Sequence, residues 1–290
     1  MTGTPMNPKE LEAAYDQSKW ASNMQVMLAR FGVLSDAARA VVGEPARMRY
    51  GAAEEETLDL YRADRASAPV IVFVHGGAWR SGSAREHGFL AEMLLAAGMH
   101  FAALDFSSVV DAKGDLGVLV EQVRRAVVWL CQHGTSFGAH ASRLYLVGHS
   151  SGAHLAAMAL STSWADYGLR ADAIRGGLLI SGTYDLGPLR HTSRREYIRI
   201  DDIAERHLSP LHHVSRLRAP LLLAAGSQES PEFVRQTKEY AEVAAKSGQS
   251  VTLVSGDTYN HFEMLETLGN PCGLMGRHLL KFVSDTGREH

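Results

Sequence analysis

A serine lies between two glycines in GHSSG, Gly148 to Gly152, a segment that matches the pattern G-x-S-x-G. The apolar run LYLV precedes the segment, and the helical pattern SGAHLAAMAL begins at its second serine. A strand that turns sharply into a helix strains the backbone at the serine, and the flanking glycines leave room for the turn. We therefore predict that Ser150 is a nucleophile for acyl transfer and that the backbone N–H of Ser151 faces the oxyanion. A glycine-rich turn without chemistry, such as a phosphate cradle, is the alternative, but no lysine follows the serine and no G-x-G-x-x-G spacing is present.

A second glycine pair lies in HGGAW, residues 75–79, directly after the apolar run PVIVFV. Adjacent glycines expose backbone N–H groups and let the chain pass close to a ligand. We expect the N–H of Gly77 or Ala78 to supply the second half of an oxyanion hole, with Gly76 shaping the turn. Trp79 has two candidate roles: it lines the acyl pocket, or it packs in the core.

A serine hydroxyl is a weak nucleophile, so a base must take its proton and a carboxylate must orient that base. His261, in NHFEML, follows the last predicted strand and precedes a helical pattern, whereas His278 and His290 fall in the final helix or tail. His261 is therefore the predicted general base.

The orienting acid should follow the strand before that one, APLLLAAG. Glu229 lies three residues beyond the last glycine of this strand, where its side chain can turn back toward His261. Glu232 follows a proline and suits the first turn of a helix, where a carboxylate favours the helix dipole. Asp185 is the rival acid, and Asp257 is too close in sequence to His261. Glu229 is the predicted acid.

Short apolar runs alternate along the chain with amphipathic stretches of helical length. Such runs are typical of strands buried on both faces, and the alternation predicts an α/β fold with a mostly parallel sheet, helices on both faces and right-handed crossovers. The predicted strands are Thr57–Tyr61, Pro69–His75, Met99–Asp105, Arg143–His149, Ile174–Ser181, Ala219–Gly226 and Ser250–Ser255. The predicted helices include residues 84–97, 115–133, 151–162 and 231–247.

Two segments depart from this alternation within what we predict to be a single domain, residues 1–290. Residues 1–50 are predicted to form an N-terminal helical arm. Its Tyr15 is a candidate substrate contact, with packing of the arm against the core as the alternative. Residues 182–218 carry many arginines and histidines but no strand signal, so they form either a lid over the site or a solvated surface segment.

The composition is that of an ordinary globular protein. There are 29 Lys and Arg against 32 Asp and Glu, so a net charge of −3 gives no reason to expect nucleic acid or an anionic membrane as a partner. The two cysteines are too few for a disulfide framework, and the N-terminus shows no signal-peptide pattern. We therefore expect a cytoplasmic enzyme without metal or other cofactor that acts on a small molecule, and a homodimer is one expected assembly. Five further histidines lack carboxylate partners at metal-ligand spacing, namely His149, His154, His207, His212 and His213.

Taken together, these segments resemble the kynurenine formamidase (arylformamidase) branch of the α/β-hydrolases. The resemblance covers roughly residues 55–285. It is carried by HGGAW at 75–79, GHSSGAHL at 148–155, SGTYDLGPL at 181–189, GSQESPEF at 226–233 and NHFEML at 260–265. The first two segments are shared with many esterases, whereas SPEFVRQ at 230–236 is more distinctive.

The resemblance implies an α/β-hydrolase fold and hydrolysis of an N-formyl or other small acyl group from an aromatic amine. The family usually has aspartate at the acid position, where this chain has Glu229. An amino-acid-like substrate would require a partner for its carboxylate, and the arginines of residues 182–218 are candidates. Two alternatives stay open: a carboxylesterase acting on short acyl esters, and a ligand-binding member of the fold without catalysis.

Overall fold

The apolar strands pair into one mixed sheet of eight strands in the computed structural model, which describes residues 6–287. The spatial order is β1-β2-β4-β3-β5-β6-β7-β8, and pairing is antiparallel at β1/β2 and β2/β4 and parallel elsewhere. The predicted α/β class with a mostly parallel sheet is confirmed. The strands are β1 (Ala46–Arg49), β2 (Thr57–Tyr61), β3 (Ala68–Val74), β4 (His100–Leu104), β5 (Ala139–His149), β6 (Ile174–Ile180), β7 (Leu221–Gly226) and β8 (Val251–Gly256).

Helices cover both faces of this sheet. Successive residues of the central strands alternate between two apolar clusters, so that Val70, Val72 and Val74 of β3 face one cluster and Ile71 and Phe73 face the other. Residues of α4, α5 and α7 build the first cluster, and residues of α2, α3, α8 and α9 build the second. The α-helices are α1 (Pro8–Tyr15), α2 (Met24–Val42), α3 (Ala91–Ala96), α4 (Leu116–His133), α5 (Ser151–Leu160), α6 (Asp202–Leu208), α7 (Pro231–Lys246), α8 (His261–Glu266) and α9 (Leu274–Thr286).

Three predicted elements differ from the structure. The arm was expected to be helical throughout, but residues 46–49 form β1, an edge strand whose mostly exposed sequence ARMR lacks an apolar signal. The last strand, β8, was expected to be buried on both faces, yet it is the opposite edge strand and Leu253 is half exposed. The predicted helix over 84–97 divides into a 3₁₀ segment, Ala84–Leu90, followed by α3.

The N-terminal arm and residues 182–218, which we call the insertion, lie against each other. Residues 182–218 hold α6 and three 3₁₀ segments, Gly187–His191, Ser193–Glu196 and Pro210–Arg216. The Glu12 carboxylate on α1 accepts hydrogen bonds from the Ser193 backbone N–H and hydroxyl, both at 2.6 Å. Arg194 donates to the Tyr15 carbonyl at 3.0 Å. We call these contacts the arm–insertion clamp. Within residues 6–287, no helix is long and apolar enough to cross a membrane.

Candidate active site

Ser150 stands between the end of β5 and the first residue of α5, at the carboxyl edge of the sheet. Its φ of 56° and ψ of −125° lie outside the regions that most side chains adopt. The neighbouring glycines permit this turn. A Cβ on Gly152 would lie 2.0 Å from the Val74 carbonyl oxygen, and one on Gly148 would lie 2.6 Å from the Gly152 carbonyl oxygen. The strained serine is held by close packing of β3, β5 and α5.

The HGGAW loop leaves the adjacent strand, β3, and bends around Ser150. Gly77 has a φ of +109°, and Ala78 and Trp79 also have positive φ values of 55° and 60°. A Cβ on Gly76 would lie 3.0 Å from Cβ of Ser150, so the loop passes close to the serine. The loop is tied to α5 because Trp79 N–H donates to the Ser151 hydroxyl oxygen at 3.1 Å.

Three backbone N–H groups near Ser150 are available to a ligand. Among the described residues, the N–H groups of Gly77 and Ala78 donate no hydrogen bond, and Ser151 opens α5, where an N–H has no intrahelical acceptor. The predicted oxyanion-hole residues therefore share one place in the structure, and Gly76 shapes the approach of their loop.

Trp79 is a packing residue and not a wall of the site. Its side chain is buried in the core, and its Nε1–H donates to Nδ1 of His154 at 3.2 Å. It is absent from the described lining of the cavity that contains Ser150. Of the two roles predicted for this residue, the structure shows the packing role, since the indole is buried and bonded to His154.

His261 and Glu229 meet although 32 residues separate them. His261 is the first residue of α8, whose N-terminus is capped by the Asn260 side chain. Its Nδ1–H donates to Oε2 of Glu229 at 2.8 Å, and both side chains are buried. The other carboxylate oxygen of Glu229 accepts from the Ser181 hydroxyl and the Gly226 N–H, both at 2.6 Å. Glu229 is therefore held on both oxygens, with one directed at the imidazole.

The other carboxylates weighed above lie elsewhere. Asp185 accepts the N–H of Gly187 at 2.9 Å, and burial raises the pKa of its carboxyl group. Glu232 is in the first turn of α7, where it binds Arg235 and accepts from the Tyr15 hydroxyl at 3.3 Å. Neither group contacts the His261 ring among the interactions of the described residues.

Ser150 and His261 open onto one cavity of about 590 Å³. No hydrogen bond among the described residues joins the Ser150 hydroxyl to the His261 ring, a common situation in a site without substrate. The arm and the insertion build the outer walls, since Tyr15 and Arg194 also line the cavity. The hydroxyl of Tyr15 is bonded to Glu232 and Gln236 in the interior, so the arm packs against the core through this residue. Its contact with a substrate stays a prediction.

Histidines line the inner wall of this cavity as well. His149, between β5 and Ser150, donates from Nε2 to the His261 carbonyl at 3.0 Å, and the two rings lie 4.6 Å apart. Burial, and then the neighbouring His261, hold the pKa of His149 well below its usual range. Burial, and then His75, lower the pKa of His87 to about 3. Both rings are therefore neutral at physiological pH.

Sequence reasoning missed several residues of this site. His87, Arg80 and Phe262 line the cavity, and Ser181 binds Glu229. Ser181 had a recognisable signal, since it follows β6 at the edge where the carboxyl ends of the parallel strands meet. His87 had no such signal, because it lies within a 3₁₀ segment and does not directly follow a strand. Among residues 6–287, no group of three or more His, Cys, Asp or Glu side chains is placed to hold a metal ion.

A parallel sheet with a strained serine at its carboxyl edge, followed in chain order by a carboxylate and a histidine that bind each other, defines an α/β-hydrolase. The BD-FAE family matches residues 58–168. A kynurenine formamidase from Danio rerio is 35% identical over 96% of this chain and 97% of its own. The chain belongs to the kynurenine formamidase family and is an enzyme of the hydrolase class.

Solved structures agree on the fold. One from Silicibacter sp. TM1040 superposes with a TM-score of 0.81 at 23% identity and covers 95% of this chain and 99% of its own. An esterase from Thermogutta terrifontis superposes with a TM-score of 0.66 at 20% identity and covers 84% and 91%. At these identities the likeness shows the α/β-hydrolase fold alone.

Proposed function

We propose that this enzyme removes a formyl or other small acyl group from an aryl amine by way of an acyl-enzyme on Ser150. The observation that carries the proposal is the buried 2.8 Å bond from His261 to Glu229 beside a strained serine in one cavity. The substrate class comes from the relatives named kynurenine formamidase, of which one matches nearly the whole chain.

The proposed cycle assigns one role to each group. Ser150 attacks the carbonyl carbon while His261 takes the hydroxyl proton and then delivers it to the leaving nitrogen. Glu229 holds the Nδ1–H of His261 and stabilises the imidazolium that forms. The N–H groups of Gly77, Ala78 and Ser151 bind the oxyanion. Water then attacks the acyl-enzyme in the reverse sequence, which releases the acid and restores the serine.

The walls of the cavity suit an aromatic amino-acid-like leaving group. Phe31 and Phe262 offer apolar surface, and Tyr15 from the arm faces the same space. Arg194 is the arginine of the insertion that lines the cavity. Its guanidinium lies 5.2 Å from the Tyr15 ring centroid and forms no ion pair among the described residues. We assign the substrate carboxylate to Arg194 and the lid function to residues 182–218 together with α1.

A substrate comparison with a matched blank tests the proposal. We expect the enzyme to hydrolyse formanilide and N-formylkynurenine with higher kcat/KM than phenyl acetate, and we expect Ser150→Ala to abolish all three activities. Stoichiometric labelling by an organophosphate should disappear with the same variant. Preference for phenyl acetate would favour the carboxylesterase alternative, and absence of both labelling and turnover would favour a binding protein.

Two further expectations concern the whole protein. A cytoplasmic location and a homodimer stay predictions. Cell fractionation checks the first, and sedimentation velocity over a range of protein concentrations checks the second.

A further inference from the structure

Two histidines that the proposed cycle does not use line the cavity beside Ser150. His87 precedes α3 in the 3₁₀ segment Ala84–Leu90, and His149 ends β5. Only 7% of the surface of His87 and 4% of that of His149 is exposed. His87 also contributes to lowering the pKa of His149.

Backbone carbonyls determine which nitrogen of each ring carries the hydrogen. The Ser83 carbonyl lies 2.8 Å from Nδ1 of His87, and the His261 carbonyl lies 3.0 Å from Nε2 of His149. A carbonyl oxygen only accepts, so those two nitrogens are the donors in the neutral rings. Nε2 of His87 and Nδ1 of His149 are therefore bare acceptors, and neither has a hydrogen-bond partner among the described residues.

The environment of these two nitrogens differs from that of Nε2 of His75, which is buried in the interior without a hydrogen-bond partner. His87 and His149 both line the cavity. Gly76 has no side chain that would cover Nδ1 of His149. A Cβ at Gly76 would lie 3.3 Å from Nδ1 of His149. The four carboxylates that line the same cavity are half-buried or exposed, so water competes for their oxygens (Glu12, Asp16, Glu86 and Glu196).

We propose that Nε2 of His87 and Nδ1 of His149 form an acceptor pair that selects a leaving group bearing an N–H donor. An aryl amide carries such a donor at the scissile nitrogen or on its ring, whereas a simple aryl ester carries none. A bound substrate that covers these acceptors without offering a donor leaves them unsatisfied, which costs free energy, so a substrate lacking the N–H is disfavoured. The inference rests on the proposed function and adds the feature by which the site separates amides from esters.

The test compares formanilide with N-methylformanilide, which lacks the N–H. In His87→Phe, which keeps an aromatic ring and removes the acceptor, we expect the ratio of the two kcat/KM values to fall about fivefold to tenfold. His87→Gln, which returns an acceptor oxygen near the position of Nε2, should recover most of the ratio. His133→Phe makes the same exchange at an exposed histidine outside the described cavity lining, and it should leave the ratio as it is in the wild type. His87→Leu replaces the phenylalanine variant if that variant does not fold.

Binding separates this inference from the proposed function. The same two ligands are titrated by calorimetry into Ser150→Ala and into Ser150→Ala with His87→Phe, and the Kd ratio should shift by the same factor. An enzyme that cleaves phenyl esters but not formanilide would contradict the proposed function, while the Kd ratio would still test the acceptor pair. Ratios that do not respond to His87→Phe, or that respond equally to His133→Phe, would overturn the acceptor pair even in an active formamidase.

Discussion

At the residue scale, the hydrogen bonds of Glu229 explain how its carboxylate is oriented toward the ring of His261. Its Oε1 accepts two hydrogen bonds, from Ser181 and Gly226, while Oε2 faces the His261 ring. All three neighbours are donors, so both oxygens of the carboxylate act as acceptors. The resemblance implies aspartate at this position, whereas this chain has the longer glutamate with both oxygens held by hydrogen bonds.

Glu229→Gln should lower kcat about 10³- to 10⁴-fold with little change in KM. The new amide group must direct its NH₂ either at the Nδ1–H of His261 or at the donors Ser181 and Gly226, so the imidazole loses its orienting acceptor. Steady-state kinetics on an aryl ester or formamide measures the effect. Asp185→Asn is the matched control and should retain most activity, and the reverse pattern would make Asp185 the acid.

Arg194 makes a second prediction at this scale. Arg194→Met should raise KM for N-formylkynurenine about tenfold or more relative to KM for formanilide, because a charge-assisted hydrogen bond to the carboxylate is lost. Arg195→Met is the control, since Arg195 is exposed and does not belong to the described cavity lining. If Arg194→Met changed KM equally for the two substrates, Arg194 would not be the residue that binds the substrate carboxylate.

At the element scale, the site depends on turns between strands and helices and on two segments that close it. Ser150, Glu229 and His261 follow β5, β7 and β8, and the HGGAW loop follows β3, so all four arrive at one edge of the sheet. The arm reaches the same place. Asn23, just before α2, accepts from the Asn260 side chain and donates to Glu263, each at 2.8 Å, and so supports the helix that begins with His261.

The turn from β5 into α5 should tolerate no side chain at Gly152. Gly152→Ala places a Cβ against the carbonyls of Val74 and His75, and we expect a loss of about 1–3 kcal/mol or more in the free energy of unfolding, with loss of activity. Urea denaturation measures this change.

Gly32→Ala in α2 is the matched control, because nothing lies within 4 Å of its Cβ position. Alanine favours a helix over glycine, so this variant should be more stable by about 0.5–1 kcal/mol. Similar effects of the two substitutions would show that the crowding at Gly152 does not matter.

At the scale of the whole molecule, the core contains histidines that stay neutral. His154 on α5 is fully buried, receives the indole N–H of Trp79 and donates to the Leu208 carbonyl at 2.7 Å, thereby joining the HGGAW loop, α5 and the insertion. Burial lowers the pKa of His154 to about 4 and, together with His75, that of His87 to about 3.

These two histidines predict acid sensitivity with a definite sign. Both have an ordinary pKa of 6.5 in the unfolded chain, so below pH 6.5 the unfolded state takes up protons that the folded state excludes. The contribution of these histidines to the free energy of unfolding should be fully present above pH 6.5. Below that pH, the free energy of unfolding should fall by about 1.4 kcal/mol per pH unit for each histidine. Urea denaturation at pH 7.5, 6.0 and 5.0 measures the slope. His154→Gln should reduce that slope by one proton, and an unchanged slope would contradict the assignment.

Local sequence pattern was sufficient to predict where seven of the strands lie along the chain, the turn at Ser150, the glycine loop and the positions of His261 and Glu229 in their loops. These features follow from residues adjacent in the chain, because apolar runs, glycines and strand ends act over a few residues. The same locality explains why β1 was missed, since its sequence ARMR carries no apolar run. It also explains why β8 was predicted as a strand but with the wrong burial, since its place at the edge depends on the order of strands in the sheet.

Only the tertiary structure decided which partners meet across long stretches of chain. It brought Glu229 and not Asp185 to His261, packed Trp79 in the core, joined Glu12 to Ser193 and placed His87 and His149 on the cavity wall. These contacts span 32 to 181 residues or depend on which carbonyl faces a ring nitrogen. They result from packing of the whole chain, and no local period in the sequence encodes them.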